Sequence, residues 1–405
     1  MTGNWAVSAT AGRTSPAGCG TPLSQHYDAG LLDLDGVVYL GGRPVARAAD
    51  ALADAGARGM KLAYVTNNAS RTPHAIAAQL RDMGVAAEAA DIVTSAQAAA
   101  HLLADRLPAR APVLVAGGMG LRLAVRDRGL RPVTTAAENP VAVVQGYSHD
   151  ISYGLLAEAA LALEAGAFYV ATNVDATLPT PRGLQPGNGS LVQALIHTTG
   201  STPVVAGKPE PPLHAESVER VGSVRPLVVG DRLDTDIEGA VRGGADSLLV
   251  LTGVTGPADL LLAPEQRRPT YIAADLTGLN AAHPDVGVQE VCVFRSGGWT
   301  AVATVAGAGV SSGAGGLGGA SGLGGAGGLG GAGGLGGAGG LGGVDGLGGA
   351  RGAAWLTVGG SGDWVDGLRA LCAAAWTAGP PPGGPEEQRR AAVAAVAAIG
   401  TPEQH

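Results

Sequence analysis

Residues 31–39 read Leu-Leu-Asp-Leu-Asp-Gly-Val-Val-Tyr. An apolar run breaks off in two carboxylates two residues apart, and glycine follows at once. In a strand, residues i and i+2 point to the same side. Asp33 and Asp35 are therefore expected to converge at the carboxyl end of a buried strand, where open α/β sheets place their ligands. Two carboxylates that close repel each other unless a cation, a shared proton or a division of labour separates their roles. The remainder of the chain has to supply one of these.

From Gly30 to about Val250, strand-like and helix-like segments alternate, which predicts a doubly wound parallel sheet. A helix is expected around Val45–Ala57 and a strand at 61–65 ending in Thr66-Asn67-Asn68. Thr72 is placed to cap the next helix, with Pro73 at its first position, and Ser95 to cap another running to about Leu107. A second strand–helix series follows: strands at Val113–Ala116, Val141–Gln145 and Phe168–Thr172, helices at Leu121–Arg128 and Ser152–Ala165. A long loop is expected over Asn173–Gly189, before a helix opened by Ser190. The first series then resumes with Val204-Val205, Pro226–Val229, Ser247–Leu251 and Tyr271-Ile272.

This reading divides the chain into a core at 27–107 and 204–283 and an inserted α/β domain at 108–203. A small C-terminal α+β region is expected at 286–310 and 353–405, with strand-like alternation over Val288–Ala306 and helices at Trp364–Trp376 and Pro385–Ile399. Between its halves, residues 311–352 repeat Gly-Gly-Leu-Gly-Gly-Ala, too rich in glycine to order cheaply, and read as a flexible linker or, through the repeated leucine, an interaction tract. Residues 1–26 lack the apolar stretch of a signal peptide and are expected to be a flexible extension.

The chain has 405 residues, 46% of them hydrophobic, enough for more than one core. A net charge of −8 without a basic stripe argues against a nucleic-acid surface. No apolar run reaches the ~18 residues of a membrane span. Three cysteines (Cys19, Cys292, Cys372) without a CxxC pair fit a reducing cytoplasm better than a disulfide framework. Only two of the 26 basic residues are lysines, Lys61 and Lys208, so a lysine is a candidate for a place that needs a compact point charge. The eight histidines are scattered and none is assigned a role; His149, beside Asp150, is the one worth locating.

Four core segments end in polar residues: Asp33/Asp35, Thr66/Asn67, Lys208 and Asp231. A parallel sheet gathers such ends along one edge, and together they suit phosphate chemistry. One carboxylate can attack phosphorus, and a second can protonate the departing oxygen and later deprotonate water. A hydroxyl and backbone amides can hold the phosphoryl oxygens, and a lysine can neutralise both partners. Asp231 completes an oxygen site suited to Mg²⁺. Taken singly, each residue has an ordinary structural reading: Asp-Gly as a turn, Thr66 as a strand-end hydroxyl, Lys208 as a solvated lysine and Asp234 as a loop residue.

The segments Asp33-x-Asp35-Gly-x-x-Tyr39, Thr66-Asn67-Asn68, Gly207-Lys208-Pro209 and Gly230-Asp231-Arg232-Leu233-Asp234-Thr235-Asp236 resemble, in order, the four motifs of the haloacid-dehalogenase-like phosphatases. The insert resembles that family's large α/β cap (type C2), and the match covers about residues 28–285. The resemblance implies a Rossmann-like core and an aspartyl-phosphate mechanism. Asp33 would be nucleophile and Mg²⁺ ligand, and Asp35 the general acid/base with its main-chain carbonyl on the metal. Thr66 and the Asn67 amide would hold the phosphoryl group, with Asn68 beside them. Lys208 would neutralise charge, Asp231 would bind Mg²⁺ directly and Asp236 would support that site from behind its ligands.

The cap segment Asn173–Ser190 resembles the subgroup's specificity loop, which makes Asn173, Asp175 and Leu178 substrate-side candidates. Pyridoxal-phosphate phosphatases tend to carry histidine where this chain has Leu178, so a small, non-aromatic ester is expected. Glycerol 3-phosphate comes first, as in the actinobacterial glycerol-3-phosphate phosphatases that the chain resembles most. Then follow 2-phosphoglycolate, sugar or nucleotide phosphates, and pyridoxal phosphate. The family also implies a homodimer through the cap. A signalling receiver domain, which groups similar residues, fits poorly because its acceptor aspartate comes later and nothing covers its site. A third possibility, a core without activity beside a C-terminal docking region, lacks support at the core, where every motif residue is present.

Overall fold

The computed structural model of the chain describes residues 13–180, 182–290, 292–304 and 355–401. The linker expected at 311–352 lies outside the described residues. Among those residues, no helix is long and apolar enough to cross a membrane.

Six parallel strands form the main sheet, in the order Tyr271–Ala273, Asp246–Val250, Pro226–Gly230, Ala29–Leu32, Lys61–Thr66, Ile92–Thr94. The Ala29–Leu32 strand is buried along its whole length. Leu31 and Leu32 alternate into two different apolar clusters, one on each face of the sheet. Later strands add on one side of it and earlier ones on the other, so the chain changes direction at its carboxyl end. This is the topological switch point at which such sheets open a crevice.

A second parallel sheet runs Val204–Val205, Phe168–Ala171, Ala142–Gln145, Pro112–Ala116, Arg131–Val133. It is not set apart from the first by solvent. Val113, Val115 and Val144 share one apolar cluster with Leu31, Val65 and Val93, bridged by the helix Ser95–Ala104. Val204–Val205, read from sequence as the resumption of the core, pairs with Val170 and Ala171 and finishes this second sheet. Two valines carry no information about which sheet they join. The core resumes only at Gly207-Lys208.

The region expected to be one long loop, Asn173–Gly189, contains a two-stranded hairpin, Thr177–Thr180 with Gly183–Pro186. The next helix begins at Asn188, ahead of Ser190. Thr72 caps its helix as expected, accepting from Ala75 N at 3.2 Å with Pro73 at the first position. Ser95 does not cap: Thr94 does, by exchanging bonds with Gln97 in a capping box. The helix Tyr153–Glu164 is capped by Ser152.

Residues 13–26, expected as part of a flexible extension, are packed on the core. Ala17 N donates to Thr270 O and Cys19 pairs with His283, all at 2.8 Å, and Leu23 is fully buried. Small and polar residues reach this state through main-chain pairing, which apolar periodicity cannot reveal.

The C-terminal layer is an antiparallel sheet, Gly287–Glu290, Val293–Ser296, Trp299–Ala303, Leu356–Gly360, backed by the helix Trp364–Ala378 and followed by Pro385–Ala397.

Candidate active site

The buried strand delivers Asp33 to the crevice while its main chain is still in the ladder, with Asp33 N donating to Val229 O at 2.8 Å. Its carboxylate forms an ion pair with Lys208 Nζ, which also lies 2.7 Å from Asp236 Oδ1 and 3.4 Å from Val65 O. Lys208 is 3% exposed and Asp236 1%. Asp231, at the end of the neighbouring Pro226–Gly230 strand, is fully buried. Its Oδ2 accepts from Val254 N at 2.7 Å, and its Oδ1 has no hydrogen-bond partner. Ligand atoms of Asp33, Asp231 and Asp236 lie within 4.8 Å of one another.

One ammonium thus faces three carboxylates. Burial alone would lower the Lys208 pKa, but Asp236 and Asp33 outweigh it and hold the group above its usual value. Burial raises Asp33, and Asp236 adds to that against the pull of Lys208. Burial also raises Asp231, reinforced by Asp236 and Asp33. The cluster is short of positive charge, and its orphaned oxygen belongs to a carboxylate. An all-oxygen donor set around Asp33 and Asp231 fits a hard divalent cation.

Asp35 is not one of the three clustered carboxylates. The regular strand ends at Leu32, Leu34 is buried in the same apolar cluster as Leu32, and Asp35 is exposed. Surrounding protein still raises its pKa by desolvation, partly offset by a bond from the Gly41 main chain. Gly36 makes the turn possible. Its φ is +89°, and a Cβ there would come within 2.4 Å of Asp231 Oδ2.

Thr66, 8% exposed at the end of its strand, accepts from Asn68 N at 3.1 Å. Asn68 Oδ1 is spent on its own turn, accepting from Ser70 and Arg71 main-chain N–H groups. Asn173, expected on the substrate side, is instead a buried tie. Its Nδ2 donates to Asn67 O at 2.8 Å and its Oδ1 accepts from Asp175 N. Asp175 accepts from Asn67 Nδ2 at 3.4 Å, which puts the second layer's loop in contact with the crevice. Leu178 lies half-buried on the hairpin, opposite Gln185.

Sequence reasoning did not single out the loop Thr252-Gly253-Val254, which lies just past the Asp246–Val250 strand. A Cβ at Gly253 would sit 2.0 Å from Asp231 Oδ2, so this glycine and Gly36 close on the same carboxylate. Its place beyond a strand end was the available signal. His214, 1% exposed beneath Lys208, is pushed down to about 4 by burial and then by the lysine, so it is neutral near pH 7. His149 pairs with Tyr147 OH at 3.1 Å. A second acidic group, His101 with Glu216 and Glu219, is already matched: Glu216 accepts from Arg128 at 2.9 Å and Arg220 at 2.5 Å.

Fold and site define a doubly wound α/β protein with an acidic, lysine-bearing crevice at its switch point and an inserted α/β layer docked beside it. The family model "Haloacid dehalogenase-like hydrolase" matches residues 30–131, and a second, HAD-hydrolase-like model matches 205–279. The D-glycerol 3-phosphate phosphatase of Mycobacterium tuberculosis is 52% identical over 258 residues, 64% of this chain and 72% of that one. The acid sugar phosphatase of Staphylococcus aureus is 36% identical over 62% of this chain and 96% of its own length. Among solved structures, the M. tuberculosis glycerol phosphate phosphatase in complex with magnesium superposes with a TM-score of 0.70 at 38% identity, covering 93% of this chain and 99% of that one. The Archaeoglobus fulgidus p-nitrophenyl phosphatase gives 0.58 at 30% identity, over 62% and 98%. The chain belongs to the haloacid dehalogenase-like hydrolases, among that family's phosphatases.

Proposed function

We propose that the chain is a Mg²⁺-dependent phosphomonoesterase that hydrolyses a small phosphate ester, glycerol 3-phosphate first, through an aspartyl-phosphate intermediate. The observation that carries this reading is the buried Asp33–Lys208 ion pair with Asp231 and Asp236 beside it.

Asp33 attacks phosphorus with its ionised carboxylate while the bond to the ester oxygen breaks. Asp35 gives that oxygen its proton, then takes one from the water that hydrolyses the aspartyl phosphate. Its raised pKa suits a group that must hold a proton before releasing it. Lys208 keeps Asp33 ionised and spreads the phosphoryl charge, while the Thr66 hydroxyl and Asn67 amide hold phosphoryl oxygens. Asp33, Asp231 and the Asp35 carbonyl would hold Mg²⁺, with Asp236 behind them. Bound there, the ion supplies the positive charge that lets carboxylate and phosphate approach.

The domain division follows the same reading: a core, a cap carrying the specificity hairpin, and a C-terminal region. A homodimer through the cap belongs to it as well; Tyr153 and Leu161 stand exposed on the cap helix Tyr153–Glu164. Three cysteines without disulfide partners accord with a cytoplasmic enzyme.

The M. tuberculosis relative supports glycerol 3-phosphate, and the S. aureus relative makes a small sugar phosphate the second reading. Leu178 cannot stack on or hydrogen-bond a pyridine ring. Phosphate release measured with Mg²⁺ on glycerol 3-phosphate, 2-phosphoglycolate, a hexose phosphate and pyridoxal phosphate decides between them. Glycerol 3-phosphate is expected to give the highest kcat/KM. Turnover of pyridoxal phosphate alone would sink the substrate argument, and release from none of them the whole reading.

A further inference from the structure

The carboxamide of Asn67 hydrogen-bonds both main-chain polar groups of Lys208. Its Oδ1 accepts the Lys208 N–H at 2.8 Å, and its Nδ2 donates to the Lys208 carbonyl at 3.2 Å. This is the pair of bonds a neighbouring strand would make. Lys208 has no such neighbour, because Val204–Val205 pairs in the inserted sheet and the chain crosses to the core only at Gly207. Gly207 is what lets the amide approach: a Cβ there would come within 2.6 Å of Asn67 Oδ1 and 2.4 Å of Thr172 O.

The other hydrogen of Nδ2 faces Asp175 Oδ2 at 3.4 Å, on the loop that leads into the specificity hairpin. Only one orientation of the amide satisfies all three contacts. Flipped, Oδ1 would face the Lys208 carbonyl and the Asp175 carboxylate together. The Asn67 main chain is fixed as well, its carbonyl accepting from Ser95 Oγ at 2.7 Å and Asn173 Nδ2 at 2.8 Å. Asn173 is itself held by Asn188, whose Nδ2 donates to its carbonyl at 2.7 Å.

We infer that Asn67, oriented by Asp175 of the inserted layer, is a positioning residue for Lys208. Its carboxamide stands in for the missing strand, holds the lysine main chain so that Nζ reaches both Asp33 and Asp236, and makes that placement depend on the seating of the cap loop. The inference rests on the reading of Lys208 as the charge-neutralising group. It adds to the main-chain role proposed for Asn67 a separate one for its side chain.

Asn67→Asp tests it with almost no change of shape. The acceptor for Lys208 N is kept, but the donor is lost and a second carboxylate faces Asp175 and the Lys208 carbonyl. On glycerol 3-phosphate and p-nitrophenyl phosphate, kcat is expected to fall about 10- to 100-fold with KM changed less than about threefold. The exchanged pair Asn67→Asp with Asp175→Asn restores a donor across the cap contact and is expected to recover about tenfold in kcat. In the metal-free full-length protein, Asn67→Ala is expected to speed amide hydrogen exchange over 204–210 and leave 226–230 unchanged. A folded Asn67→Asp protein with wild-type kcat, a loss confined to KM, or an exchanged pair no better than the single variant would each overturn the inference. Should the wild-type protein release no phosphate from either ester, the functional reading fails, and the exchange measurement still decides whether Asn67 holds Lys208.

Discussion

At the carboxyl edge of the parallel sheet, Asp33, Lys208, Asp231 and Asp236 are charged groups held away from water with one ammonium among three carboxylates. In the C-terminal layer, the helix Trp364–Ala378 buries Leu368, Leu371, Cys372 and a run of alanines, and Arg369 is its one buried charge. Arg369 donates to Ile272 O at 2.6 Å and pairs with Asp366, so its charge has two partners although its Nε has none. The first region keeps an electrostatic deficit that no structural purpose explains. The second leaves Ser296 Oγ, Trp299 Nε1 and Arg369 Nε without partners, but it holds one buried charge against an acid and otherwise packs by shape. The contrast separates the part of the molecule shaped for chemistry from the part shaped for cohesion, and each side can be broken separately.

The largest effect belongs to the nucleophile. Asp33→Asn keeps the shape and the ladder bond to Val229 but removes the attacking carboxylate. Phosphate release is expected to fall by about 10⁴-fold or more. Because the change also relieves one of three crowded carboxylates, thermal stability is expected to hold or rise. Retained activity would remove Asp33 from the mechanism and leave the crevice's charge deficit without a catalytic account.

The edge of the sheet was legible in sequence because chemistry restricts residue type at strand ends: Asp33, Thr66, Lys208 and Asp231 were each marked by an apolar run stopping at a polar residue. The partnerships were not legible. That Asp35 would be exposed, outside the buried acid group, while Leu32 and Leu34 share one cluster depends on where the strand ends. That Asn173 and Asn68 would be structural ties depends on turn geometry. Two valines at 204–205 do not encode which sheet they join, because pairing is set by tertiary contact, and the packing of residues 13–26 rests on main-chain pairing that leaves no apolar period.

A smaller effect sharpens the electrostatic side. If the crevice lacks a cation, Mg²⁺ should stabilise the folded chain without any substrate. At a concentration of about 100 Kd the gain is about 2.7 kcal/mol, a shift of a few degrees in Tm. Asp231→Asn should abolish that response. It should also raise the metal-free Tm, since it removes a buried carboxylate whose Oδ1 has no partner. Calorimetry with and without EDTA reads both. Equal Mg²⁺ shifts in the two proteins would place the ion elsewhere.

The smallest effect is expected where the C-terminal layer is interrupted. Trp299–Ala303 and Leu356–Gly360 are antiparallel partners with Ala303 opposite Leu356, and Thr304 N donates to Trp355 O at 3.0 Å. The described residues that flank the segment 305–354 are therefore already side by side, as the two arms of a hairpin. Replacing 305–354 by a four-residue turn asks nothing new of the sheet. Loop-closure entropy predicts a gain of about 2 kcal/mol, since each halving of the loop is worth about 0.6 kcal/mol. With the crevice untouched, kcat/KM should stay within about twofold. A stable but inactive shortened protein would tie the tract to function, and an unstable one would show that the tract supports the fold, so that the hairpin ends meet only with its help.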